Sequence, residues 1–255
     1  MSTSNGRRVF LVASGVSGAT FLLGCKKNGR YAQAHAKLKG RDEADEKEPA
    51  KDGGEGEPEV TATEDLMREH GVIRRALTVY REAATLLRTT PSALPLDALH
   101  RTAKLLRTFA EDYHERQLEE EHIFPALKRT TGAAAGLVET LTTQHARGRE
   151  ITEYVIASTN AAMTSARAEP LARTLESFAR MYEEHAALED TVVFPAWKAL
   201  LSPKELDDAG ELFEDIEHQT FGKDGFDDAV DQISAVERAF GIELGRFTPP
   251  PPPKP

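Results

Sequence analysis

Between residues 61 and 200 the apolar positions recur at helical spacing, and no stretch alternates with period two for long. Leu66, Ile73, Leu77 and Tyr80 follow this spacing, as do Leu99, Ala103, Leu106 and Ala110. Helices are expected over 62–89, 94–129, 134–166 and 168–201. Thr63 before Leu66-Met67 marks the first start, and Thr90-Pro91 the first stop. Gly132 breaks the chain, and Pro125 and Pro195 are expected to bend the ends of the second and fourth helices. Ser202-Pro203 reads as an N-cap and first-turn proline, opening a helix over 203–219. A turn at Phe221 to Gly225 leads to a last helix over 226–240. The fold class is therefore all-α. One domain is expected, with the 202–246 helices packed on the main body at 61–201.

The two ends have a different composition. Arg7-Arg8-Val-Phe-Leu11 is a twin-arginine pattern, and an apolar run follows it to Leu22-Leu23-Gly24-Cys25. That ending resembles a bacterial lipoprotein box, with Cys25 as the lipidated residue. The run is about 16 residues, short of the roughly 20 a spanning helix needs. Residues 1–25 are thus expected to be a signal segment, exporting the protein to the periplasmic side of the cell envelope with a lipid anchor. Residues 26–60 are acidic and Gly-rich, with too little apolar surface to offset ordering entropy, and should form a disordered tether. Residues 247–255 should form an extended proline-rich tail.

Charge and cysteine usage narrow the function. The net charge is −10, and removal of residues 1–24 takes away two arginines and no acid. Such a surface disfavours nucleic acid, which needs a basic patch. Cys25 is the single cysteine, which excludes a disulfide, a thiolate zinc site and a thiol nucleophile from the folded part. No nucleophile–base arrangement and no phosphate-binding glycine loop is evident, so an enzymatic role has no support from motifs, although peroxide turnover at a metal centre stays open. No output domain is visible either. A sensor would work through a protein partner whose identity the sequence does not give.

The candidate chemistry lies in Tyr182-Glu-Glu-His185-Ala-Ala-Leu-Glu189-Asp190, followed by Phe194-Pro195. Four residues of α-helix turn through about 400°, so His185 and Glu189 share a face, about 6 Å apart along the axis. Both can reach one metal ion. Superposing the two Phe-Pro-Ala triplets places Glu119 on Glu189 and Glu120 on Asp190. His114 falls one residue out of register with His185, and Glu115 is the residue that aligns. Each copy is preceded by a helix-like segment with one histidine, Glu69-His70 in the first half and Gln144-His145 in the second. The chain thus reads as a duplicated helix pair. His122, His100, His35 and His218 fall outside the pattern and are read as non-ligands.

This pattern resembles the hemerythrin-like, or HHE cation-binding, family over roughly residues 61–200. The resemblance implies an antiparallel, up-and-down four-helix bundle, here with two additional C-terminal helices. It implies His70, His114, Glu119, His145, His185 and Glu189 as ligands of two non-haem iron ions, with Glu119 and Glu189 bridging. Zinc or manganese also suits imidazole and carboxylate donors. One departure stands out: His114 and Glu119 are five residues apart, about 140° off a shared α-helical face. Either a π-bulge absorbs the extra residue, or Glu115 replaces His114. The bulge is favoured because it retains the family's ligand, and Glu115 could also add to the set. The implied function is binding of dioxygen or a related small molecule, for storage, carriage or redox sensing. The alternative is an envelope iron- or zinc-binding protein without oxygen chemistry.

Overall fold

A computed structural model describes residues 60–161 and 163–253, all in one compact unit. The expected signal segment, Cys25, His35 and all of the tether except Val60 lie outside the described residues. Those described are helical, with no strand among them. No helix among them is long and apolar enough to cross a membrane.

Helix α1 spans Ala62–Thr89. Its N-cap is Thr61, not Thr63: the Thr61 side chain accepts from the Glu64 amide at 3.4 Å, and the Glu64 carboxylate accepts from the Thr61 amide at 3.0 Å. This reciprocal capping box satisfies two otherwise orphaned amides. After a short 3₁₀ turn at Pro91–Ala93, helix α2 begins as an α-helix over Leu96–Leu105. It continues as a π-helix over Leu106–Ile123 and ends as α-helix over Phe124–Lys128.

Helix α3 spans Ala133–Thr159 and ends well short of the expected residue 166. Ser158, Thr159 and Asn160 favour caps and turns over helix interiors. Here the Thr159 hydroxyl donates back to the carbonyls of Val155 and Ile156, and Arg167 covers the Ser158 carbonyl at 3.1 Å. Helix α4 runs Ser165–Leu188, passes through a π-turn at Glu189–Val193 and closes with Phe194–Lys198. Helices α5 (Pro203–Phe221) and α6 (Gly225–Phe240) follow. Ser202 caps α5 through Glu205, and Gly222, at φ 67°, ends it in the left-handed conformation that glycine adopts without strain.

The four long helices close a ring in which α1 packs on α2 and α4, and α3 packs on the same two. Their inward residues form one apolar core, with Tyr80, Phe109, Phe178 and Leu99 fully buried. Arginines at seven-residue intervals on α1 link it to α4: Arg74 pairs with Asp190, Arg81 with Glu183, and Arg88 with Glu176 and Glu169. The partners descend α4 as they ascend α1. Helices α5 and α6 both cover α1 and α2, and Arg75 on α1 reaches Glu237 on α6 at 2.6 Å. Residues 247–253 are exposed and carry no helix.

Candidate metal centre

The polar residues buried between the helices include the six candidate ligands. His70 comes from α1, His114 and Glu119 from α2, His145 from α3, and His185 and Glu189 from α4. All six are buried, and both glutamates are completely inaccessible to solvent.

Two kinds of helix geometry deliver the two carboxylates. On α4, ordinary α-helix sets Glu189 four residues after His185, with 3.0 Å between His185 Nε2 and Glu189 Oε1. On α2 the spacing is five, and the π-helix accommodates it. Its amides bond five residues back, so residue i+5 returns to the face of residue i. His114 Nε2 accordingly lies 3.4 Å from Glu119 Oε1. In both halves the π-geometry continues to the Phe-Pro pair, where the amides of Phe124 and Phe194 donate to the carbonyls of Glu119 and Glu189. Pro125 and Pro195 then fall in the first turn of a fresh α-segment, where a missing amide costs little.

The donor atoms form two groups around the two carboxylates. In one group His70 Nε2 and His114 Nε2 are 3.1 Å apart, with Glu189 Oε2 and Glu119 Oε1 each 3.4 Å from one of them. In the other, His145 Nε2 and His185 Nε2 are 3.0 Å apart, 3.2 Å from Glu119 Oε2 and 3.0 Å from Glu189 Oε1 respectively. Each glutamate therefore faces one histidine pair with one oxygen and the other pair with its second oxygen.

These atoms suit a cation. Two donors each about 2.1 Å from one ion lie roughly 3.0–3.4 Å apart. All four oxygens of Glu119 and Glu189 are buried without a hydrogen-bond partner, a costly state for carboxylates unless cations meet them. The histidine tautomers agree. Every Nδ1 faces an acceptor: Asp190 at 2.7 Å from His70, Glu69 at 2.5 Å from His114, Glu120 at 2.8 Å from His145, and Gln144 at 2.8 Å from His185. Such partners fix the ring and turn the Nε2 lone pair inward.

Without a cation, protons balance the charge. Burial pulls the His114 pKa down, but the Glu119 and Glu69 carboxylates outweigh it and hold the ring well above its ordinary value. For His145, burial is likewise outweighed by the charge of Glu115 and by Glu119 and Glu120. For His70, burial is outweighed by the neighbouring Asp190 and Glu189 carboxylates. Burial pushes Glu189 up, yet His185 and His70 hold it below the usual carboxylate range. Burial and Glu189 push Glu119 up, and His114 and His145 bring it down.

Glu115 does not take the place of His114 in the inner group. It is buried beside the centre, where Tyr182 donates its hydroxyl to Oε1 and Arg149 lies 3.3 Å from Oε2. Burial raises its pKa. Tyr182 fits only because residue 148 is glycine: a Cβ there would meet the phenol oxygen at 2.3 Å. Glu115 and Tyr182, with Ile73 and Ala186, close a cavity of about 10 Å³ that opens on His70, His114, His185 and Glu189. That volume admits about one water-sized molecule.

Sequence reasoning did not assign the outer acceptors Glu69, Glu120, Gln144 and Asp190, although each stands next to a predicted ligand at matching places in the two copies. It also missed the two phenylalanines. Phe194 stacks on His70 and Phe124 on His145, with ring centroids 5.4 Å apart in each case. Of the remaining described histidines, His122 packs beside Phe213, His100 bonds to Thr159 at 2.8 Å, and His218 is exposed.

Residues 61–197 match the family model for the hemerythrin HHE cation-binding domain. Uncharacterized proteins of Mycobacterium bovis and Mycobacterium tuberculosis are 44% identical over 209 residues, covering 79% of this chain and 81% of each relative. No solved structure matches. A match spanning every helix that contributes to the buried histidine–carboxylate cluster shows that this chain belongs to the hemerythrin HHE cation-binding family.

Proposed function

We propose that this protein holds two iron ions in an antiparallel four-helix bundle. His70 and His114 would hold one ion and His145 and His185 the other, with Glu119 and Glu189 supplying carboxylate oxygens. The observation that carries this reading is the set of four buried carboxylate oxygens that no donor meets, each turned toward an imidazole Nε2. Bound ferrous iron would supply electrons to a small oxidising ligand such as dioxygen. The chain's own residues do the rest. Asp190, Glu69, Glu120 and Gln144 orient the imidazoles, and Phe124 and Phe194 cover two of them and exclude water. Glu115 and Tyr182 bound a cavity that limits a guest to a few atoms. Export through Arg7-Arg8 and lipidation at Cys25 would set this centre at the cell envelope.

The test is metal analysis of the full chain purified without air, followed by absorption spectra on admitting oxygen. Two irons per chain and a charge-transfer band that vacuum removes support carriage, whereas irreversible oxidation supports redox sensing or turnover. Absence of any bound divalent ion sinks the reading. Export that continues unchanged after Arg7 and Arg8 are replaced by lysine would sink the twin-arginine assignment.

A second reading is a metal-binding protein without oxygen chemistry, holding iron, zinc or manganese. It is favoured by the position of Glu115, a buried carboxylate lining the small cavity a guest would need. Loaded protein whose spectrum ignores oxygen would decide for it.

A further inference from the structure

Resting on the two-cation reading, we infer that the two positions are unequal and that Glu69 makes them so. The position of His70 and His114 binds a divalent cation more tightly than that of His145 and His185, and the two fill in that order.

Apart from the extra residue between His114 and Glu119, the duplication is close to symmetric around the carboxylates, and among the outer acceptors it breaks in one place. His70 and His145 each give Nδ1–H to the acidic residue that follows a bridging glutamate, Asp190 and Glu120. An arginine four residues along the same helix braces each acid, Arg74 on Asp190 and Arg149 on Glu120. The remaining two histidines use the residue that precedes the other histidine of their own half. For His114 this is Glu69, a carboxylate; for His185 it is Gln144, a neutral amide. An imidazole whose outer nitrogen faces a carboxylate is a more basic donor than one facing an amide. The Glu69 contact is also the better fixed. Glu69 is buried, and its second oxygen accepts from Tyr113 at 2.9 Å, whereas Gln144 is half-buried at the edge of the ring. Near the other position the extra carboxylate, Glu115, meets neither imidazole at Nδ1, where Glu120 and Gln144 stand. It shares Arg149 with Glu120 and takes the Tyr182 hydroxyl.

The experiment is an anaerobic titration of the metal-free full chain with Co²⁺, followed by absorption and calorimetry. The wild type should take up two ions in steps at least tenfold apart in affinity. Glu69→Gln should weaken the tighter step by about tenfold and bring the steps together. Gln144→Glu, which leaves Glu69 and its buried contacts untouched, should instead tighten the weaker step by a similar factor. Glu69→Gln with Gln144→Glu should restore a tenfold separation, a rescue that a merely structural role for Glu69 would not give. Two ions bound with coincident steps in the wild type, or a separation indifferent to both substitutions, overturns the inequality alone. No uptake of Co²⁺ overturns the two-cation reading and the inequality with it.

Discussion

His70 on the first helix and Asp190 on the fourth are 120 residues apart in sequence and meet at 2.7 Å, Nδ1 against Oδ1. The equivalent contact of the second half, His145 with Glu120, runs in the opposite sense between the two copies. Each half thus orients a histidine of the other. Asp190→Asn keeps an acceptor oxygen but gives up the charge that Arg74 braces. Metal affinity should fall by about tenfold, read by competition with a coloured chelator. An unchanged affinity would show that Asp190 serves only the α1–α4 contact.

Metal removal should cost stability. With no cation, four carboxylate oxygens stay buried and unmet. A cation that binds the folded chain alone adds about 2.7 kcal/mol when present at one hundred times its dissociation constant. Thermal unfolding of the full chain should therefore move up by several degrees on loading and return on chelation. Identical curves would count against a metal held in the core.

The metal-free protein should also lose stability in base. Its His70, His114 and His145 are held above their unfolded value of 6.5. A raised histidine contributes stability that is complete below about pH 6.5 and is lost as pH rises through the folded value. Denaturant unfolding of chelated protein should show a decline from pH 6.5 upward, and metal-loaded protein should not share it. Loading should accordingly release protons, visible as a calorimetric enthalpy that changes with the buffer.

Gly148 and Tyr182 give a test that replaces no predicted ligand. Gly148→Ala forces the phenol away from α3, at a cost of about 1–3 kcal/mol, and breaks its bond to Glu115. Tyr182→Phe removes that bond without the clash and should cost less in denaturant unfolding. Equal losses for the two would place the effect in the hydrogen bond and not in packing.

The π-helix of α2 offers a further check. His114→Ala should abolish one of the two bound ions, whereas Glu115→Gln should leave both, as counted by metal analysis. The reverse outcome would mean that the aligned residue, Glu115, supplies the donor.

Much of this was legible in the residues. Helical spacing of Leu66, Ile73, Leu77 and Tyr80 located α1, because apolar periodicity is local, although the cap is Thr61 and not the expected Thr63. The repeated His–Glu and Phe-Pro pattern pointed to the buried polar residues, because a carboxylate and an imidazole on one helix face need only the pitch of that helix. Other features were not local. The end of α3 falls at Ser158, Thr159 and Asn160, where Arg167 from the next helix meets the Ser158 carbonyl, a contact that helical periodicity does not register. That the five residues between His114 and Glu119 lie in a π-helix, which brings both side chains to the inner group, is likewise not set by the apolar spacing of that segment. The outer acceptors are the clearest case. Sequence places Asp190 beside Glu189 and Glu69 beside His70, but a hydrogen bond between residues on different helices exists only once the ring closes, so tertiary structure alone assigned which imidazole each one holds.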